Sequence, residues 1–300
     1  MLQIEKLWRN ISSLYLRQEP RTQIPAPADK FGCMTQPYPI GRFPSAARRA
    51  LRGVLFDVDD TFTTRVQGRG QLTSQGMAAL ERLERHGKMR VPITGRPFGW
   101  VDHMARMWPV DAVVGENGAF YSYFKGGRLH THFIQTERAR RDFRKQLDLI
   151  GKDVLSRFPG TQIASDQRAR ACDIAIDFAE DVAPLSLETA HCIAEYFRAR
   201  GAKAKISSIH VNAWFGEYDK LTTTRRMFQD LWDIDLSRSK EQFAFLGDSP
   251  NDEPMFEFFP HSIGVRNVTP YLEIMRNPPR WMTKAESTSG FVEAVRKLLS

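Results

Sequence analysis

Three short apolar runs in this chain each end in a cluster of polar residues, and no other feature restricts the fold as much. Gly53-Val54-Leu55-Phe56 enters Asp57-Val58-Asp59-Asp60-Thr61, the segment 89–93 enters Thr94-Gly95-Arg96-Pro97, and Phe243-Ala244-Phe245-Leu246 enters Gly247-Asp248-Ser249-Pro250-Asn251-Asp252. Apolar runs of this length, bounded by turn formers, read as strands buried on both faces. Helical patterns separate them. Met77, Leu80 and Leu83 share one face behind Thr73 or Ser74, with Gly87 as the stop. Further helices are predicted near 97–107, 220–232, 252–259 and 288–299, and further strands at 111–114, 262–265 and 280–283. Strand and helix in alternation predict an α/β, doubly wound parallel sheet of Rossmann-like type, whose ligands bind at the carboxyl ends of the strands.

The alternation breaks in the middle of the chain. Residues 118–123 and 128–133 flank Gly126-Gly127 as a hairpin would, and 137–157 then reads as a helix. Strands at 161–164 and 171–178, a helix at 185–199 and strands at 202–207 and 209–215 follow. Helix, strand, strand, repeated once, is the order of an antiparallel sheet with helices on one face. The expected organisation is an N-terminal arm over 1–50, a core over 51–97 and 216–300, and an inserted α+β domain over 98–215 that includes its linking segment.

Charge separates the arm from the rest. The formal net charge is +8, and +5 of it falls within residues 1–50, which also hold six of the seventeen prolines. The other 250 residues carry only +3, with no basic stripe interleaved with aromatics, so nucleic acid is not expected as a partner. Ile4, Leu7, Ile11 and Leu14 keep helical spacing before the proline-rich stretch, while Glu5 and Glu19 count against a transit peptide. No run is long and apolar enough for a membrane span. Cys33, Cys172 and Cys192 are odd in number and far apart, which excludes a disulfide framework or a zinc site built from them. A reducing, cytoplasmic setting is the expectation.

Four motifs converge where such a sheet would bring them: the acids from Asp57 to Asp60, the Thr94-Gly95-Arg96 turn, Lys220 at the start of a helix, and the loop from Gly247 to Asp252. Carboxylates that close repel one another and call for a divalent cation or a shared proton. An oxygen-rich site with open positions suits Mg²⁺, which commonly takes a phosphate oxygen as a further ligand. Thr61 and Thr94 offer hydroxyls to an anion, Gly95 permits close backbone approach, and Lys220 adds a point charge for a phosphoryl group. An Asp carboxylate can accept a phosphoryl group, and a second acid two residues on can move the protons.

The set resembles the haloacid dehalogenase (HAD) superfamily, whose motifs are an Asp-x-Asp-x-Thr strand end, a Ser/Thr, a Lys and an acidic Gly-Asp-x-x-x-Asp loop. About 125 residues separate Thr94 from Lys220, which is similar to the placement of a type IIB cap. Thr94-Gly95-Arg96-Pro97, Gly115-Glu116-Asn117-Gly118-Ala119 and the strand from His210 to Trp214 before Asp219-Lys220 add to the likeness. The resemblance implies a Mg²⁺-dependent phosphomonoester hydrolase for a small phosphorylated metabolite, a sugar phosphate above all, with Asp57 as nucleophile and Asp59 as acid and base. It further implies Thr94 and Lys220 on the phosphoryl group, and Mg²⁺ on Asp57, the main-chain carbonyl of Asp59 and Asp248, with Asp252 close by. Asp60 and Leu221 stand where relatives commonly carry Gly. A phosphomutase of the same architecture and a non-catalytic binding protein are the rival readings.

In the insert, alternation along 209–215 puts His210, Asn212 and Trp214 on one face, where the first two are candidates for substrate selection; Arg170 is a third, for an anionic group. The cap or the arm offers a surface for a homodimer.

Overall fold

The structure is a computed structural model that describes residues 36–207 and 209–300. The amphipathic segment at 4–14 and Cys33 lie outside the described residues. In chain order the elements are β1 (Tyr38–Pro39), α1 (Ser45–Ala50), β2 (Gly53–Phe56), β3 (Thr64–Val66), β4 (Arg69–Gln71), α2 (Ser74–Arg85), β5 (Met89–Pro92), α3 (Phe98–Met107), β6 (Val113–Gly115), β7 (Phe120–Lys125) and β8 (Arg128–Phe133). Then come α4 (Glu137–Arg157), β9 (Gln162–Ile163), β10 (Ile174–Asp177), α5 (Leu187–Arg198), β11 (Lys203–Ile206) and β12 (His210–Trp214). The chain closes with α6 (Lys220–Trp232), α7 (Leu236–Ser239), β13 (Phe243–Gly247), α8 (Glu253–Phe258), β14 (His261–Gly264), β15 (Trp281–Met282) and α9 (Ser287–Leu298).

Six strands form the core sheet in the order β1-β15-β14-β13-β2-β5, all parallel. β2 and β13 lie side by side at its centre, so their acid-bearing ends fall together. Val54 and Phe56 face one apolar layer with Phe62 and Phe291, whereas Leu55 faces the other with Met227 and Phe228. Burial on both faces is why these strands read as continuous apolar runs. β1 was not expected as a strand: Tyr38 and Pro39 pair with Trp281 and Met282, and Ile40 and Phe43 are buried in the core layer. Residues 38–50, grouped with the arm by sequence, are therefore part of the core's packing. The hairpin β3–β4 was also unforeseen, because Thr64-Arg65-Val66 and Arg69-Gly70-Gln71 are too short and polar to show a strand pattern.

The insert forms a four-stranded antiparallel sheet in the order β11-β12-β10-β9. Its apolar face carries Ile174, Ile176, Val211, Ala213 and Ala204 against Leu147 and Val154 of α4 and Ile193 and Phe197 of α5. Both helices thus cover one face, and the opposite face turns toward the core's strand ends. Residues 98–133 behave differently: Val101, Met104, Val113 and Phe120 join one core layer and Val114 and Tyr121 the other. A parallel bridge from Ile93 to Val114 continues the core sheet into β6, from which β7 and β8 extend as antiparallel neighbours. No helix of the described residues is long and apolar enough to cross a membrane.

Candidate active site

Asp57 follows β2 directly, its N–H donating to Leu246 O on β13 at 2.9 Å, so the ladder itself places its carboxylate at the sheet edge. The chain then makes one wide turn through Val58–Phe62, and Asp60 takes a left-handed conformation at φ 55°. That conformation explains why a glycine would serve here, and Asp is among the few side-chain-bearing residues that tolerate it. The Asp60 carboxylate points away to Arg65 at 3.2 Å.

Lys220 is the first residue of α6. Asp219 caps that helix by accepting from Thr222 N, and the Thr222 hydroxyl reaches back to Asp219 N, so Leu221 in place of glycine leaves the helix start intact. Gly118, at φ 109°, lies directly against the Asp219–Lys220 peptide, where a Cβ would collide, and its carbonyl accepts from the Thr223 hydroxyl. The Gly115–Ala119 turn thereby fixes the lysine. Its ammonium donates to Asp57 Oδ1 at 2.8 Å and to Asp252 Oδ1 at 2.9 Å.

Asp248 follows β13; its N–H donates to Asp252 Oδ2 at 3.1 Å, and its Oδ1 accepts from the Thr61 hydroxyl at 3.1 Å. Gly247 is required beside it, because any Cβ there would strike the Asp252 carboxylate. Burial pushes the Asp57 carboxyl up to about 8, with Lys220 opposing and Asp252 adding to the rise. Burial likewise drives Asp248 well above the carboxylate range, reinforced by Asp252 and Asp57. For Lys220 burial works against the charge, but Asp252 and Asp57 overcome it and hold the ammonium protonated. Three buried carboxylates thus gather around one cation. One oxygen from each of Asp57, Asp248 and Asp252 lies within 4.8 Å of the others. An all-oxygen, negatively charged set at this spacing fits a hard divalent cation such as Mg²⁺.

Asp59 departs from this group. Its carboxylate accepts from Arg96, Nη2 at 2.7 Å and Nε at 2.9 and 3.0 Å, as a bidentate pair. Arg96 also stacks over Trp100 at 4.4 Å and lies 3.7 Å from Glu180 of the cap. The carboxylates of Asp57, Asp248 and Asp252 meet, while Asp59, expected at a metal through its main-chain carbonyl, sends its side chain to Arg96. Thr61 and Thr94 are buried behind the cleft: one hydroxyl serves Asp248, and the other oxygen accepts from Arg96 N at 3.0 Å. Gly95, expected beside the phosphate, does line the cleft.

The cleft encloses about 290 Å³ between Asp57, Asp59 and Asp248 on the core and Arg170, Lys205, His210 and Asn212 on the cap. His210 and Asn212 face it as the alternation predicted, but Trp214 packs into the core layer, stacked on Tyr218. Arg170 was expected to be available to an anion. Instead Asp166 (2.8 Å) and Asp173 (3.2 Å) neutralise it, and it donates to Gly95 O at 3.1 Å across the domain boundary. Asn212 Nδ2 donates to Asp173 Oδ2 at 3.0 Å, and His210 Nε2 lies 3.0 Å from Glu180 Oε2.

Glu116 was quoted in a motif but given no role. Fully buried at φ 44°, it accepts from four backbone N–H groups: Phe98 (2.9 Å), and Ala171 (2.7 Å), Cys172 (2.6 Å) and Asp173 (3.1 Å) of the cap. Burial and the Asp173 carboxylate push it up to about 7, the Ala171 N–H and Arg170 opposing. Lys205, Glu180 and Asp173 also escaped the sequence reading. The one available signal was the period-two pattern Lys203-Ala204-Lys205-Ile206, which places both lysines on a single face.

No family model matches the sequence, and no curated protein matches it. Solved structures do share its fold. The C-terminal domain of trehalose-6-phosphate phosphatase from C. albicans superposes with a TM-score of 0.64 at 14% identity, over 88% of this chain and 98% of that one. A haloacid dehalogenase-like hydrolase from Bacteroides thetaiotaomicron gives 0.58 at 12% identity, over 83% and 99%. A Synechocystis sucrose-phosphatase, solved with sucrose and phosphate, gives 0.55 at 17%, over 83% and 98%. The chain therefore has the haloacid-dehalogenase type of parallel core with an inserted cap.

Proposed function

We propose that this protein is a Mg²⁺-dependent phosphomonoester hydrolase that acts through an aspartyl phosphate on a small phosphorylated metabolite, a sugar phosphate in the first instance. The observation that carries the reading is the buried Asp57–Lys220–Asp252 ion triad with Asp248 beside it, at the carboxyl ends of the two central strands. The cleft volume of about 290 Å³ supports a compact leaving group, as do neighbours named for trehalose 6-phosphate and sucrose phosphate.

Asp57, Asp248 and Asp252 would hold the metal with the Asp59 carbonyl, and when bound it would offset the carboxylate charge and that of the phosphoryl oxygens. An Asp57 oxygen attacks phosphorus, the bond from phosphorus to the ester oxygen breaks, and Asp59 delivers a proton to the departing oxygen. Asp59 must part from Arg96 to do so. Water then attacks the aspartyl phosphate, Asp59 takes its proton, and Asp57 is restored as inorganic phosphate leaves. Lys220 lowers the proton affinity of Asp57 against the effect of burial and faces the transferred group throughout.

The test is Mg²⁺-dependent release of p-nitrophenol from p-nitrophenyl phosphate. Asp57→Asn should lower it by about 10⁴-fold or more while the variant still folds. Undiminished turnover in that variant overturns the assignment, and isomerised sugar phosphate in place of free phosphate would show a mutase.

A further inference from the structure

The cap face of the cleft carries one uncommitted charge. Three Lys or Arg side chains line the cleft: Arg96, Arg170 and Lys205. Arg96 is held by Asp59, and Arg170 by Asp166 and Asp173. The Lys205 ammonium makes no ion pair or hydrogen bond with any described residue. Its placement is dictated by the strand. Ala204 and Ile206 of β11 join the apolar layer beneath α5, which turns Lys203 and Lys205 to the other face. Lys203 lies beyond the cleft and pairs with Glu217 at 2.9 Å. Lys205 stands directly across from Asn212 of β12, in the row that looks toward the core.

We propose that Lys205 selects substrates whose leaving group carries a second anion, a carboxylate or a further phosphate, in addition to the phosphoryl group that is cleaved. The proposal rests on the phosphatase reading above. The cleaved group belongs at Asp57, Asp248 and Lys220 on the core wall, so a cation on the opposing cap wall meets the far end of the leaving group. An ammonium kept half-buried without a counter-ion is held at a cost that an incoming anion removes. Burial, with the positive charges of Lys220 and Arg198, depresses its proton affinity, which the carboxylates of Asp219 and Glu253 offset only in part. Arg170, the sequence candidate for this task, is already neutralised by two carboxylates.

Three probes sharing one ring decide it: glucose 1-phosphate, glucuronate 1-phosphate, which replaces a hydroxymethyl by a carboxylate, and glucose 1,6-bisphosphate. At least one doubly anionic probe should exceed glucose 1-phosphate in kcat/KM by about ten- to a hundredfold, the range of a charge-assisted contact. The better of the two tells carboxylate from phosphate. Lys205→Met should bring the ratio to within about threefold of unity, and Lys205→Arg should retain most of it. A wild-type ratio near one for both probes overturns the proposal. So does an equal loss on all three probes in Lys205→Met, which would put the lysine on the cleaved phosphate. Should no probe, p-nitrophenyl phosphate included, release phosphate, the phosphatase reading fails on its own. The same three molecules titrated calorimetrically into wild-type and Lys205→Met protein in EDTA then decide the anion preference by affinity.

Discussion

The two walls of the cleft are charged by opposite logic. On the core wall Asp57, Asp248 and Asp252 share a single ammonium, leaving an excess of acid that burial makes worse. On the cap wall Arg170, Asp166, Asp173 and Asn212 satisfy one another, and His210 faces Glu180. A wall with unbalanced charge is built for a ligand and destabilises the protein without one; a balanced wall is scaffold. Chemistry is thus assigned to the core. The cap contributes shape and, through Lys205, one unpaired positive charge.

Removing one acid from each wall should have effects of opposite sign. Asp248→Asn relieves repulsion with Asp252 and Asp57 while still accepting from the Thr61 hydroxyl, so the thermal midpoint in EDTA should rise. Activity should fall by about a thousandfold or more, the scale of losing charge stabilisation at a reacting centre, and Mg²⁺ should no longer raise the midpoint. Asp173→Ala takes the acceptor from Asn212 Nδ2 and leaves Arg170 with Asp166 as its carboxylate partner. Its cost of about 2 kcal/mol corresponds to a midpoint lower by roughly 3–5 °C in a chain of this size. Differential scanning calorimetry of both variants with and without Mg²⁺ checks the pair, and shifts of the same sign would break the contrast.

Glu116 ties the two regions together. In Glu116→Gln one accepting oxygen becomes an NH₂ that faces N–H groups of the cap, which should cost about 2–3 kcal/mol. Its titration gives a second signature. The native carboxyl is raised from 4.5 to about 7, so between those values the folded protein keeps a proton that the unfolded chain has released. That component of stability therefore declines as pH climbs from about 4.5 to about 7, and is level above it. Thermal midpoints across this range should fall more steeply in the wild type than in Glu116→Gln; parallel curves would remove the clasp's titration from the account.

The core wall was legible because its chemistry sits in contiguous motifs at strand ends, and parallel pairing of neighbouring strands brings such ends together whatever the loops do. The same locality revealed that His210 and Asn212 share a face. Charge satisfaction follows backbone geometry, however. That Arg170 is spent on Asp166 and Asp173 depends on a backbone turn, and that Glu116 reaches Ala171–Asp173 depends on closing a loop of more than fifty residues. Thr61 reads as a phosphate ligand in its motif, yet its hydroxyl is taken by an acid 187 positions away. The pattern of residue types identified which side chains gather; only the fold shows which are already occupied.

The smallest expected effect concerns the point where the walls meet. Arg96 holds Asp59 in a bidentate pair at 2.7–3.0 Å and lies at the longer distance of 3.7 Å from Glu180 of the cap. Asp59 cannot carry a proton to the leaving oxygen while both its oxygens accept from Arg96, so a cap carboxylate that competes for the guanidinium eases its release. Glu180 is partly exposed and distant, and such a pair is worth under about 1 kcal/mol, or a few-fold in rate. Glu180→Gln should therefore lower kcat for a sugar phosphate about two- to fivefold with KM little changed. p-Nitrophenolate departs without a proton, so its release from the aryl ester should be affected less. An equal loss on both esters would place Glu180 with the scaffold of its own wall, where His210 at 3.0 Å is its partner, and would sever the link from the cap to the acid.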